Sequence, residues 1–302
     1  MVFDNILEAV GKTPLIKLST LCERTVNVYG KAEFFLPTGS LKDRSAMFIV
    51  NDALANMKIG GNTKVAEAAA GNSAVSIAMV CAAKGLQCLL VMPENVHPDR
   101  IKAVRAYGAE VVLTPAAGGY EGAVSELEKL SRTQDLFILN QYANKAAADS
   151  HFATTAREIF TDLRSVKWIV AGIGTGATVI GITRYIIANR LDCRVCVVSP
   201  ENNKLLEGGA AGRHIIRGIG ASFVPGIVGD KTFDRIEYVS DAEAIEESRR
   251  LAVTEGIFCG LSGGAAVAAA RRLVKEVEVG EIVVMLPDGG DKYYNSPLCD
   301  YD

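Results

Sequence analysis

The chain has 302 residues, room for about two domains, with 49% hydrophobic residues, 22% charged residues and a net charge of −3. That balance describes a globular protein with an ample core, and with a pI near 5.8 it gives no reason to expect nucleic acid or a membrane surface as a partner. No apolar run reaches the ~18 residues of a spanning helix, and residues 1–5 lack the basic and apolar regions of a signal peptide.

Residues 15–18 and 26–34 read as strands joined by a polar turn. Pro37-Thr38-Gly39 is a turn, Ser40 is a good helix N-cap, and 41–54 can be helical. Lys42 then falls in the first turn of that helix. There the positive end of the helix dipole and partial burial both disfavour the ammonium form. An amine kept neutral near pH 7 can attack a carbonyl carbon and form a Schiff base; a solvated lysine is the plain alternative.

Further along, 64–70 reads as a strand, 74–84 as a helix ended by Gly85, 87–92 as a strand, 98–107 as a helix, 110–114 as a strand and 119–132 as a helix. Asn140 and Gln141 close that half, and a helix over 150–163 leads to the next. Strands are expected at 168–171, 194–199 and 282–286, and helices at 177–189, 242–255 and 265–276. A Gly-rich segment runs over 208–229. Strands alternating with helices imply parallel sheets covered on both faces, an α/β fold of two three-layer domains.

The seven cysteines are odd in number and scattered, as in a cytosolic protein with reduced thiols. Cys193 and Cys196 form a lone CxxC leading into a strand, where a three-residue offset points the sulfurs to opposite faces. No His/Cys/Asp/Glu cluster has metal-ligand spacing, and no metal is expected.

Three strand-to-helix turns can carry chemistry. Gly174, Thr175, Gly176, Ala177 and Thr178 form a phosphate cup, in which glycines let the backbone approach an anion at a helix N-terminus. The spacing Gly172-x-Gly174-x-x-Ala177, with Glu201 beyond the next strand, also fits a dinucleotide fingerprint. A tight turn with no ligand is the third reading. Ala70, Gly71, Asn72 and Ser73 form the second turn. Its N–H groups could hold a carboxylate and Asn72 could donate to a cofactor oxygen, or both side chains could simply cap. The third is Cys259 to Ala265, where Ser262 could cap its helix or face a heteroaromatic nitrogen. A neutral partner there suits elimination more than transamination.

Seven blocks in order carry a resemblance: PTGSLKDR at 37–44, AGNS at 70–73, NQYAN at 140–144, GTGAT at 174–178, GIGASFVP at 218–225, CGLSGG at 259–264 and LPDGGDKY at 286–293. They resemble the cysteine synthase (O-acetylserine sulfhydrylase) and cystathionine β-synthase family of pyridoxal-phosphate enzymes, fold type II, the tryptophan synthase β class. The resemblance implies a smaller mobile substrate-binding domain over 45–141. It also implies a larger phosphate-binding domain of 1–44 plus 142–302. Lys42 would carry the pyridoxal 5′-phosphate and serve as acid and base at the substrate Cα. Asn72 would bond the cofactor's 3′-oxygen, Gly174, Thr175, Gly176, Ala177 and Thr178 its phosphate, and Ser262 its pyridine nitrogen. Ala70, Gly71, Asn72, Ser73 and Gln141 would receive the substrate carboxylate, and Gly218 and Ser222 would flank the entrance. The implied reaction is β-replacement on O-acetylserine or O-phosphoserine through an aminoacrylate, most simply with sulfide. The alternatives are an N-(2-amino-2-carboxyethyl)-L-glutamate or cystathionine synthase, or a cysteine lyase releasing hydrogen sulfide. A cytoplasmic homodimer is implied, with a serine acetyltransferase as a possible partner.

The chain departs from the family pattern at three loops. Ala69-Ala70 stands where cysteine synthases usually have Thr-Ser, Ala177 and Ser222 where they usually have glycine, and Arg217 where they often have glutamine. Arg217 is expected to meet an anionic leaving group or acidic second substrate, and Arg213 to be a surface charge. His151 is expected to pack or hydrogen-bond.

Overall fold

The computed structural model describes residues 2–226 and 232–301; the end of the Gly-rich segment expected over 208–229 lies outside them. In chain order the elements are β1 (Leu15–Lys17), β2 (Val26–Ala32), α1 (Lys42–Ala55), β3 (Lys64–Ala68), α2 (Asn72–Ala83), β4 (Cys88–Pro93), α3 (Pro98–Ala106), β5 (Glu110–Thr114), α4 (Gly119–Ser131) and β6 (Leu136–Ile138). There follow α5 (Lys145–Ser150), a π-helical turn (His151–Ala156), α6 (Arg157–Asp162), β7 (Val166–Gly172), α7 (Ala177–Ala188), β8 (Arg194–Pro200), β9 (Arg235–Val239), α8 (Asp241–Glu255), α9 (Leu261–Leu273) and β10 (Gly280–Leu286). No helix among the described residues is long and apolar enough to cross a membrane.

The chain divides into two compact units. One holds the stretch through Val10 together with Lys42–Ala147; the other holds Gly11–Leu41 and the chain from Ala148 onward. The units thus change at 10/11, 41/42 and 147/148, against 44/45 and 141/142 in the sequence reading, which also placed residues 1–10 with the larger domain.

The first unit is built on a four-stranded sheet ordered β5-β4-β3-β6, all parallel. Its β4, Cys-Leu-Leu-Val-Met-Pro, is buried at every position, as a parallel strand covered by helices must be. Ala123 and Leu127 of α4 pack on Ala66, Ala68, Leu89 and Val91.

The second unit has a six-stranded sheet ordered β1-β2-β10-β7-β8-β9, in which only the edge strand β1 is antiparallel. Neighbouring residues along its strands enter different cores. Val170, Cys196 and Val284 pack with α8 and α9, whereas Ile169, Val195 and Val283 pack with α7 and the segment before β7. That alternation is the three-layer arrangement expected. It also parts the CxxC cysteines, with Cys193 in one core and Cys196 in the other.

Several elements differ from the sequence reading, among them β6 (Leu136–Ile138), which was not expected, and α2, which starts at Asn72 and not at 74. Strand β9 was not expected, although Arg235-Ile236-Glu237-Tyr238-Val239 alternates polar and apolar residues. The helix expected over 150–163 starts at Lys145 and widens into a π turn at His151. Helix α9 starts at Leu261, four residues before the expected 265, because Gly263 and Gly264 continue the helix. Gly264 packs against Ala244 and Ser248 of α8, where a Cβ would lie 2.1 Å from the Ala244 carbonyl oxygen.

Candidate active site

In the first unit, α1 opens at Lys42, which is half-buried. The helix starts two residues after Ser40, whose backbone pairs with Asp288 in the second unit's own β-bridge. The next residue on α1, Asp43, is fully buried and accepts the Ser76 hydroxyl of α2 at 2.6 Å. This bond fixes the start of the lysine helix against α2.

Helix α2 opens at Asn72, with Gly71 at the N-cap position and no side-chain cap. Neither Asn72 nor Ser73 therefore acts as the cap that their residue types allow. The Ser73 hydroxyl donates to Gln141 Oε1 at 2.7 Å, so the structure brings together two residues expected at the substrate carboxylate. Behind them lies Glu67 of β3, which the sequence reading missed. Its carboxylate accepts the Asn140 N–H at 2.7 Å and hydrogen-bonds the Gln141 backbone and side chain. Burial raises this carboxyl to about 7, against those lowering bonds.

In the second unit, β7 runs into the 172–178 turn. Gly176, at φ 83°, takes the left-handed conformation that begins α7. A Cβ on Gly174 would lie 2.2 Å from the Gly218 carbonyl oxygen, so only glycine lets the two loops meet. The meeting is fixed by the Gly220 N–H, which donates to the Ile173 carbonyl at 2.9 Å. Thr175 Oγ1 accepts the Ala177 N–H at 3.4 Å. Thr178 Oγ1 lies 3.3 Å from His151 Nε2, and His151 Nδ1 lies 2.9 Å from Thr155 Oγ1. The π turn thus aims a buried histidine at this loop, consistent with the hydrogen-bonding role expected of His151.

Gly218 and Ser222 are exposed on the facing loop, as is Arg217. An open cavity of about 600 Å³ beside it is lined by Arg213, His214, Ser222 and Asp241, among others, and Arg217 is not one of its walls. Ser262 stands in the first turn of α9, 3% exposed, and Gly260 precedes that helix without a side-chain cap. Ser262 is therefore not the cap either.

The 286–293 block joins distant parts of this unit. Pro287 O accepts the Leu41 N–H at 2.9 Å and Asp288 O the Gly260 N–H at 3.0 Å. Tyr293 donates to Asp288 Oδ2 at 3.0 Å, and Lys292 Nζ donates to the Thr38 and Gly39 carbonyls at 2.8 and 2.6 Å. One segment thus holds both the turn that delivers the chain to Lys42 and the start of the Ser262 helix.

These parts suit a phosphorylated pyridine aldehyde. A glycine cradle at a helix N-terminus with no basic side chain offers backbone N–H groups to a phosphate, a half-buried lysine opens a second helix, and a buried hydroxyl opens a third.

Comparison with known proteins agrees. The family model described as "Pyridoxal-phosphate dependent enzyme" matches residues 6–288. A cysteine synthase of Staphylococcus aureus is 35% identical over 99% of this chain and 98% of its own length. Among solved structures, an O-ureido-L-serine synthase superposes with a TM-score of 0.96 at 34% identity, covering 100% of this chain and 96% of the other. A cysteine synthase of Entamoeba histolytica gives 0.96 at 31% identity, covering 100% and 92%. The chain belongs to the pyridoxal-phosphate-dependent enzyme family, with the α/β fold of its cysteine synthase branch.

Proposed function

We propose that this pyridoxal-phosphate-dependent enzyme replaces the β-substituent of an activated L-serine, O-acetylserine or O-phosphoserine, most simply with sulfide to yield cysteine. The observation that carries the reading is the 172–178 turn, where a left-handed Gly176 and a Cβ-intolerant Gly174 leave a backbone cradle for a phosphate. When bound, pyridoxal phosphate supplies the electron sink that acidifies the substrate Cα–H and weakens the bond to the β-substituent.

The chain's residues do the rest. Backbone N–H groups at 174–178 and the hydroxyls of Thr175 and Thr178 hold the phosphate, Asn72 donates to the ring oxygen, and Ser262 faces the ring nitrogen. The N–H groups of 71–73, with the Ser73 hydroxyl and Gln141, orient the substrate carboxylate. Lys42 Nζ holds the cofactor, takes the Cα proton and later returns it.

A second reading changes the reactants and keeps the chemistry. Ala69 and Ala70 bring no hydroxyl to the substrate turn, and Arg213, His214 and Ser222 line a cavity beside the entrance loop. An acidic leaving group or acceptor suits the Arg213 guanidinium on that wall. Arg217→Gln and Arg213→Gln, assayed with O-acetylserine and O-phosphoserine, test it: an unchanged preference in both removes the idea.

Cytoplasmic localisation, a homodimer and a serine acetyltransferase partner complete the proposal. All seven cysteines are unpaired, and burial pushes the thiols of Cys193, Cys196 and Cys259 up to about 12, which suits a reducing compartment. Light scattering and pull-down with an acetyltransferase test the two assemblies. The test of the whole reading is hydride reduction of the holoenzyme followed by peptide mass spectrometry. The adduct is expected on Lys42 and is lost in Lys42→Ala; an adduct elsewhere overturns the reading.

A further inference from the structure

Glu67 stands on β3 in a run otherwise made of valine and alanine, and it is 3% exposed. A carboxylate on a buried strand needs a reason, because its ionised form loses hydration there. Its partners supply one. The carboxylate receives the backbone N–H of Asn140 at 2.7 Å and further hydrogen bonds from Gln141, backbone and side chain, while Gln141 Oε1 receives the Ser73 hydroxyl at 2.7 Å. A polar chain therefore runs from Glu67 through Gln141 to Ser73, beside the uncapped start of α2.

The ionised carboxylate can only accept, so it holds the Gln141 amide with Nε2 inward and Oε1 outward. In that pose Gln141 shows an oxygen to Ser73 and consumes its proton, which is poor company for an incoming anion. A protonated Glu67 can donate to Oε1. The amide then turns over, Nε2 points outward, and the Ser73 hydroxyl is released to donate elsewhere. Burial raises the carboxyl to about 7, so both forms are populated near neutrality.

The other titratable groups on the elements around Glu67 are two phenols, exposed or paired surface charges and buried thiols. The phenols of Tyr120 on α4 and Tyr142 after β6 are pushed upward, first by burial and also by the Glu67 charge. On α4, Glu121, Glu128 and Lys129 are exposed and Glu126 pairs with Lys129 at 3.0 Å. On β3 itself, Lys64 pairs with Glu110 of β5 at 2.7 Å. Helix α2 and strands β4 and β6 carry no acidic or basic residue, only the buried thiols of Cys81 and Cys88.

We propose that Glu67 is a positioning residue whose protonation turns the Gln141 amide, so that the protonated enzyme is the form that grips a substrate carboxylate. The proposal rests on the reading that 71–73 and Gln141 receive that carboxylate.

The test uses the holoenzyme and L-alanine, which has the carboxylate and no leaving group, followed by the absorbance change on binding between pH 6 and pH 8. If only the protonated form binds, a single group near pH 7 weakens wild-type affinity by about ten-fold across that interval, relative to Glu67→Gln. Glu67→Gln mimics the neutral carboxyl, and Gln141→Ala should remove the same pH-linked difference. A wild-type to Glu67→Gln affinity ratio that stays flat from pH 6 to 8 overturns the proposal. Should Glu67→Gln not fold, infrared spectroscopy of the wild type decides. A buried carboxylic-acid band present at pH 6, absent at pH 8 and shifted by alanine supports the proposal, and its absence at pH 6 overturns it. Alanine affinity indifferent to both Ser73→Ala and Gln141→Ala would instead remove the carboxylate reading beneath it.

Discussion

The β7–α7 turn and the β3–α2 turn have the same outline, a parallel strand opening into a helix through glycine, yet they are held by different forces. At the first, shape decides: a Gly174 Cβ would strike the Gly218 carbonyl oxygen at 2.2 Å, and residues 172–178 carry no ionisable side chain of their own, although His151 lies 3.3 Å from Thr178 Oγ1. At the second, a Cβ on Gly71 would meet nothing within 4 Å, and order comes from the Glu67–Gln141–Ser73 chain. A contact fixed by sterics keeps its shape at every pH. A turn fixed through a carboxyl near pH 7 does not.

The sharpest way to break this contrast is to add one methyl to the packed turn. Gly174→Ala forces two backbone segments apart, an overpacking penalty of about 3 kcal/mol or more. Cofactor affinity, titrated by fluorescence on the apoenzyme, should fall by at least about 100-fold. Nearly unchanged affinity would mean that the loops are not locked together.

Next comes the carboxyl. A folded-state value raised to about 7 from 4.5 means that the native protein holds this proton more tightly than the unfolded chain does. The stability so gained is complete below about pH 4.5 and is lost as pH rises through about 7, by roughly 3 kcal/mol in all. Urea denaturation should therefore show Glu67→Gln gaining on the wild type between pH 5 and pH 8. A gap that does not change with pH would deny the titration. Smaller again is Ser76→Ala, which deprives the buried Asp43 carboxylate of a donor at 2.6 Å. It should cost about 1–3 kcal/mol, equally at pH 6 and pH 8, because its order does not depend on the Glu67 proton. Smallest is Gly71→Ala, expected to shift stability by less than about 1 kcal/mol; a loss as large as that of Gly174→Ala would erase the distinction between the turns.

Most of the packed turn was legible in the sequence, because a glycine pattern between a strand and a helix encodes a local backbone shape. The start of α1 near Lys42 was legible for the same reason. What was missed depends on partners far along the chain. Glu67 meets Asn140 across 73 positions, and its only local signal was a lone acid inside Val65-Ala66-Glu67-Ala68-Ala69-Ala70. Ser73 and Ser262 were plausible caps by residue type, but tertiary contacts and helix starts at Asn72 and Leu261 decided otherwise. The π turn at His151 was not legible in the sequence either, which reads as ordinary helix from 150 onward.

The hold of Lys292 on the Thr38 and Gly39 carbonyls spans about 250 positions. During synthesis the turn ahead of Lys42 waits for about 250 further residues to emerge before its fastener exists, a closure of high contact order and correspondingly late. Competence to bind the cofactor should therefore arrive only with the 286–293 segment.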